Sequence, residues 1–185
     1  MAYHPIHYIK DCIPKDVFAE MQKLAFGFEY ERHPSSPHLN GHQHYYGELL
    51  EWASHTMSRD CRVRVKKYKG LAIQKFSVGE GMDSHQDFAD YYVDPTDFAP
   101  TMAMVYYLND DYEGGEICFS QEKHQNPVHQ TPREELLEMA SSIFKPEANS
   151  CVMFDSRIWH WVVPVISGSR YSYTVFYDTE DLDNA

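Results

Sequence analysis

Cys61-Arg-Val-Arg-Val-Lys-Lys-Tyr-Lys-Gly-Leu-Ala-Ile-Gln-Lys-Phe-Ser-Val78 is the stretch where the hydrophobic period of this chain changes. Over 61–68 apolar and polar residues alternate, which places them on opposite faces of a half-buried strand. Lys69-Gly70 predicts a tight turn, and 71–78 a second strand. Six of the 16 basic residues lie between Arg59 and Lys69, and Arg62, Arg64 and Lys66 share one face. A solvated outer face or a protected sheet edge accounts for them.

Upstream of this stretch the period is helical. Val17, Phe18, Met21, Leu24, Ala25 and Phe28 recur every three or four residues after Pro14-Lys15-Asp16. A second helix is expected over 45–57, with Leu49, Trp52, Ala53 and Thr56 on one side. Residues 33–43, HPSSPHLNGHQ, read as a loop. Downstream, short strands are expected at 101–108, 116–120, 150–154, 160–165 and 172–177. Turn-rich segments at 109–115 and 167–169 separate several of them. One helix interrupts the series, where Thr131-Pro132-Arg133-Glu134 reads as N-cap, first-turn proline and capping-box glutamate ahead of Leu136, Leu137 and Met139. Helices first and many short strands after predict a mainly β fold with supporting α-helices. Its antiparallel core is closed or sandwiched. Residues 1–60 form the helical N-terminal support and 61–180 the β core of one domain, 1–185.

Composition narrows the function. The chain has 185 residues, with 28 acidic against 16 basic and a net charge of −12. Generic nucleic-acid binding requires a cationic footprint and is disfavoured, as is an anionic membrane surface. No apolar run approaches the roughly 20 residues of a membrane span. The opening MAYHPIHYIKDC lacks a signal peptide's charged start and apolar centre. Cys12, Cys61, Cys118 and Cys151 form no CxxC pair and sit among apolar residues, so buried reduced thiols and a cytoplasmic setting are expected.

Eleven histidines invite a search for a metal site. His85-Gln86-Asp87 follows Gly79-Glu80-Gly81, and on an extended segment residues two apart point the same way. Imidazole and carboxylate together suit a first-row transition metal. Chance alone supplies about one such pair in a chain of this composition, so the pair means little by itself. A further histidine, His160, lies in Phe154-Asp-Ser-Arg-Ile-Trp-His160-Trp-Val-Val-Pro164. Arg170 follows in Gly168-Ser-Arg170-Tyr-Ser172, and an inward arginine can grip a carboxylate in a fork of two hydrogen bonds. Two histidines and a carboxylate on one face of a metal leave positions open, the arrangement of non-haem iron oxygenases.

At this point the chain resembles the iron(II)- and 2-oxoglutarate-dependent dioxygenases, in their prolyl 4-hydroxylase-like branch. The matching pieces occur in order: His85 and Asp87, Val105-Tyr-Tyr-Leu-Asn109, Gly114-Gly-Glu116, His160, and Arg170-Tyr-Ser172. The opening Ile6-His-Tyr-Ile-Lys-Asp-Cys-Ile-Pro14 also looks like the branch's N-terminal support. The resemblance implies a double-stranded β-helix, or jelly-roll, with helices packed against it. It implies Fe(II) held by His85, Asp87 and His160, and 2-oxoglutarate as cosubstrate with its far carboxylate on Arg170. Tyr107, Ser172 and Thr174 would be hydrogen-bonding helpers, and ascorbate the reductant. Halogenating relatives lack the carboxylate that Asp87 supplies, so the implied reaction consumes dioxygen and hydroxylates an aliphatic carbon. Peptidyl proline is the first substrate to consider.

The chain departs from the family in three places. Phe76 stands where many relatives have a tyrosine that contacts the cosubstrate. Arg170 stands where the prolyl branch often has lysine. The 121–145 stretch is longer than the usual connection and is expected to shape the substrate mouth. Tyr91, Tyr92 and Trp159, with the loops 33–46 and 89–100, are candidates to line that mouth or simply to pack. Arg157 is expected either to anchor a substrate carbonyl or to make a surface ion pair. His42 and His44 are expected in a solvated loop. Three alternatives stay open: a catalytically silent jelly-roll binding a metal or partner, an oxygenase of a free amino acid or other small molecule, and a zinc hydrolase.

Overall fold

The computed structural model describes residues 6–32, 40–42, 46–90 and 99–182. In chain order the elements are β1 (His7–Ile9), α1 (Lys15–Gly27), β2 (Glu31–Arg32), β3 (Asn40–His42), α2 (Gly47–Asp60), β4 (Val63–Phe76), β5 (Met82–His85) and α3 (Asp87–Asp90). They continue with β6 (Met102–Tyr107), β7 (Glu113–Gly114), β8 (Ile117–Ser120), α4 (Arg133–Glu138), β9 (Ser142–Phe144), β10 (Ser150–Asp155), β11 (Trp159–Val162), β12 (Val165–Ser167) and β13 (Arg170–Asp181).

The strands form a larger sheet ordered β1-β10-β6-β13-β4-β3-β2, a smaller one ordered β5-β11-β8-β9, and the pair β12-β7. From β4 onward the chain passes repeatedly between the sheets: β4, β6, β10 and β13 lie in the larger, β5, β8 and β11 in the smaller. This interleaving of antiparallel strands is a jelly-roll.

Strand periodicity decides what each sheet face buries. On β6, Met102, Met104 and Tyr106 face α1 and α2, joined by Met153 of β10 and Tyr173 and Val175 of β13. The helices answer with Met21 and Ala25 of α1 and Leu49, Leu50, Ala53 and Met57 of α2. The alternate residues Ala103, Val105 and Tyr107 face the smaller sheet and meet Ile117, Phe119, Phe154 and Phe176. Because both faces of β6 are covered, all six of its residues are buried, and it reads as a continuous apolar run. Each buried large apolar side chain contributes about 1.5–3 kcal/mol relative to exposure.

Several details differ from the sequence expectations. Lys69-Gly70 is not a turn, because β4 runs unbroken through it. Between Tyr173↔Ile73 and Val175↔Gly70 the register slips, so Gly70 marks a bulge against β13, the other role of a glycine within a strand. Leu24 is exposed on α1. Thr131 does not cap α4; its hydroxyl donates to the Pro127 carbonyl, and Pro132 stands at the helix start. The 160–165 strand is split by Pro164, which has no N–H to give a ladder, into β11 and β12.

The 121–145 stretch packs on the smaller sheet, with Lys123 beside Trp159. Its Val128 and Leu136 pack on Cys118, Trp161 and Val163, the outer face of the smaller sheet. Arg133 of α4 pairs with Glu116 of the Gly-Gly-Glu turn. The Val128 N–H donates to Asp83 Oδ1 (2.8 Å) and the His124 N–H to Ser84 Oγ (3.2 Å), so the stretch braces β5 from behind.

The four cysteines are free and buried. Burial pushes the Cys61 thiol up to about 11 and the Cys118 thiol up to about 12, which keeps both neutral and unreactive. On the charged edge of β4, Arg64 and Lys66 are both exposed and pair with Glu180. No helix among the described residues is long and apolar enough to cross a membrane.

Candidate active site

His85 and His160 are direct antiparallel partners at the junction of β5 and β11, so their side chains stand on one face. The ring centroids are 4.1 Å apart. Asp87 does not reach them by strand alternation, as the spacing alone suggests. β5 ends at His85, the chain turns, and Asp87 opens the short helix α3. Its Oδ1 then lies 3.5 Å from His85 Nε2 and 3.7 Å from His160 Nε2.

Two bonds lock this segment to the turn before His160. Gln86 donates to the Arg157 carbonyl, and the Phe88 N–H donates to the Ser156 carbonyl at 3.1 Å. The turn itself is fixed by Asp155, fully buried, which accepts from the Arg157 backbone N–H (2.9 Å) and Nε (2.8 Å). Arg157 therefore makes the ion-pair choice among its two expected roles, and its partner belongs to the interior.

The tautomers follow from the backbone. His85 Nδ1 lies 2.8 Å from the Asp83 carbonyl and His160 Nδ1 3.0 Å from the Ile158 carbonyl. Each Nδ1 must carry the proton to make that bond, which leaves both Nε2 lone pairs directed at Asp87. The ligand atoms of His85, Asp87 and His160 all lie within 4.8 Å of one another. Asp87 and His160 are buried and His85 nearly so. Three acceptors converging out of water, one of them an anion, fit a divalent cation.

The same cavity ends at Arg170, with Gln74 and Thr174 along its wall and Val105, Ile117 and Phe176 among its apolar lining. Register explains this grouping. Arg170 pairs with Phe76, and Ser172 lies between Gln74 of β4 and Tyr107 of β6 in one cross-strand row. Arg170 is 1 % exposed. Its guanidinium stacks between the Phe76 and Tyr107 rings, each centroid 4.9 Å away. Nη1 donates to Ser172 Oγ at 3.2 Å. Phe76 thus supports the cation by its ring face, where a tyrosine would add a hydroxyl. Among the described residues no carboxylate pairs with Arg170, and its Nε has no partner. A buried cation in this condition fits an anionic ligand.

Asn109 holds the arginine in place. Its Nδ2 donates to the Ser169 carbonyl (2.7 Å) and its Oδ1 accepts the Tyr171 N–H (2.8 Å), clamping the backbone on both sides of Arg170. The Tyr107 hydroxyl is buried, and its proton has no acceptor. Burial pushes its ionisation far above the ordinary range against the opposing charge of Arg170, so it remains a neutral donor. Thr174 Oγ1 donates to Gln74 Oε1 at 3.2 Å.

The structure therefore brings together His85, Asp87, His160, Arg170 and Thr174 around one cavity, with Tyr107 and Ser172 against Arg170. Gln74 was missed in the sequence, although it shares its strand face with Phe76 by period two. Trp159 is half-buried, with Lys123 Nζ 5.2 Å from its ring centroid. Tyr91, Tyr92 and His44, and the side chain of His42, lie outside the described residues.

Comparison with known proteins agrees with this geometry. The model of the 2OG-Fe(II) oxygenase superfamily matches residues 71–178. Similar solved structures include a Pseudomonas putida prolyl-4-hydroxylase, 15 % identical, TM-score 0.62, covering 94 % of this chain and 92 % of that one. Another is a Trichoplax adhaerens prolyl hydroxylase in complex with a hypoxia inducible factor oxygen degradation domain peptide fragment (16 %, TM-score 0.61, 93 % and 82 %). A third is HygX from Streptomyces hygroscopicus with nickel, 2-oxoglutarate and hygromycin B bound (12 %, TM-score 0.59, 94 % and 82 %). No curated protein sequence matches the chain. With the family match spanning more than half of the chain and enclosing both histidines, Asp87 and Arg170, the chain belongs to the 2OG-Fe(II) oxygenase superfamily.

Proposed function

We propose that this oxygenase hydroxylates an aliphatic carbon, with peptidyl proline as its substrate. One observation carries the site assignment: a single cavity has three converging acceptors at one end and a buried, unpaired guanidinium at the other. His85, Asp87 and His160 would hold Fe(II). Arg170 would take the far carboxylate of 2-oxoglutarate, with Ser172 steadying the guanidinium and Tyr107 adding a donor. Bound iron supplies the redox chemistry that couples oxidation of 2-oxoglutarate to hydroxylation. The protein's part is to fix the ligand directions, keep Arg170 charged and dry, and line the path with apolar groups.

The likeness to two prolyl hydroxylases supports the choice of proline. A small-molecule substrate is the second reading, favoured by the hygromycin B in HygX. The zinc hydrolase reading leaves Arg170 without a task. The four buried free thiols support a cytoplasmic setting.

The test is incubation in air with Fe(II), 2-oxoglutarate and ascorbate, using proline-containing peptides and, separately, cell-extract metabolites. Succinate together with a peptide heavier by one oxygen is the expected result. Oxygen appearing only in a small molecule would replace proline with the second reading. Absence of succinate under every condition would favour the silent binding protein.

A further inference from the structure

Buried polar atoms without partners are few in folded proteins, and each one asks what would satisfy it. Three gather around Arg170: its own Nε, the Tyr107 hydroxyl and the Tyr112 hydroxyl. Tyr112 has no place in the site as built above. It belongs to the 109–115 turn, yet it is only 4 % exposed.

Two glycines press its ring into position. Gly115 has φ +67°, and a Cβ there would come within 3.0 Å of both Tyr112 Cε2 and Arg170 Cδ. Gly168 has φ +77°, and a Cβ there would stand 3.1 Å from Tyr112 Cα and Cβ. The missing side chains let the ring lie against the arginine's stem. Arg170 is close enough for its charge to oppose the effect of burial on the Tyr112 hydroxyl. A guanidinium can only donate, so the neutral Tyr112 phenol beside Arg170 accepts at its oxygen and still has its own proton to give. Such a group of donors around a cation matches an anionic acceptor.

We infer that Tyr112 is a second phenolic donor to the far carboxylate of the 2-oxo acid and, with Tyr107 and Arg170, makes the site select a dicarboxylate. This rests on the 2-oxoglutarate reading above. Tyr112→Phe keeps the ring between its glycines and removes only the donor. With the protein loaded with Mn(II) under nitrogen, calorimetry compares 2-oxoglutarate with 2-oxopentanoate, which carries a methyl group in place of the far carboxylate. The variant should bind 2-oxoglutarate about tenfold more weakly and 2-oxopentanoate as the wild type does. Unchanged 2-oxoglutarate binding, or equal weakening for both ligands, overturns the inference.

A second readout needs no variant. In zinc-loaded wild-type protein labelled with 13C at tyrosine Cζ, 2-oxoglutarate should shift two buried tyrosine resonances that 2-oxopentanoate leaves in place. One shifted resonance would leave Tyr107 as the sole phenolic donor and overturn the role of Tyr112. Wild-type protein that binds 2-oxoglutarate no better than 2-oxopentanoate would instead overturn the cosubstrate reading, and this inference with it.

Discussion

At one end of the cavity His85, Asp87 and His160 present two imidazole lone pairs and a carboxylate, all acceptors. At the other end Arg170 presents N–H donors, and Tyr107 and Tyr112 behind it each hold a proton without an acceptor. The supports differ as well. The acceptor end is assembled from three four-residue elements, β5, α3 and β11, with α3 tied through Gln86 and Phe88 to the turn before β11. The donor end stands on β13, a twelve-residue strand paired on both sides within the larger sheet. The contrast shows how one site can require two ligands in series, since a cation satisfies only the first end and an anion only the second. It also predicts that damage at the two ends is separable.

The largest effect belongs to the acceptor end. His160→Ala removes one of three ligands and should lower succinate formation by 100-fold or more, with a matching loss of metal affinity. Calorimetry with Mn(II) and a succinate assay measure the two quantities. A variant with wild-type metal affinity and robust turnover would break the assignment of that end.

Arg170→Ala tests the donor end. It removes the charge-assisted pair and should weaken 2-oxoglutarate binding by about 100-fold, while metal affinity stays within about threefold. Arg170→Lys should recover only part of the loss, because a point charge replaces a two-pronged fork. Parallel losses of metal and 2-oxoglutarate in Arg170→Ala would show that the ends are one unit and remove the contrast.

What was legible in the sequence follows the same division. His85, Asp87, His160 and Arg170 could be placed because motifs of fixed order mark them, and the strands were marked by alternation in β4 and by a continuous apolar run in β6. Tyr112 could not be placed, because its role depends on two glycines, 115 and 168, that converge on it only after folding. Gln74 was hidden for a similar reason: parity places it on the right face, but parity does not say which face meets the cavity. Gly70 carried a signal with two meanings, turn or bulge, and the partner strand β13 decided between them. Thr131 had the composition of a cap, but its hydroxyl found the Pro127 carbonyl nearer to hand. The 121–145 stretch showed its length and not its direction, and direction put it behind the smaller sheet.

That position gives a control remote from both ends. Leu136 is fully buried on the outer face of the smaller sheet. Leu136→Ala should cost about 2–4 kcal/mol of stability through lost transfer energy and a residual cavity. Thermal and denaturant melts measure the loss. At temperatures where the variant is folded, metal and 2-oxoglutarate affinities should match the wild type. A selective drop in metal affinity would show that the brace on β5 through Asp83 and Ser84 sets ligand geometry, making the acceptor end the more fragile of the two.

The smallest effect is expected on the wall between the ends. Thr174 lines the cavity, but its hydroxyl proton is already committed to Gln74 Oε1 at 3.2 Å. A donor so engaged has little left for a carboxylate, and its oxygen would face an anion with a lone pair. Thr174→Val conserves shape and removes only the hydroxyl, leaving the Gln74 amide to seek another partner. Affinity for 2-oxoglutarate should therefore change by about threefold or less, measured by the same calorimetry, against roughly 100-fold for Arg170→Ala. A loss of tenfold or more would mean that Thr174 releases Gln74 and turns to the ligand on binding. The donor end would then extend two residues further along β13, and the boundary between the two halves of the cavity would move toward the metal ligands.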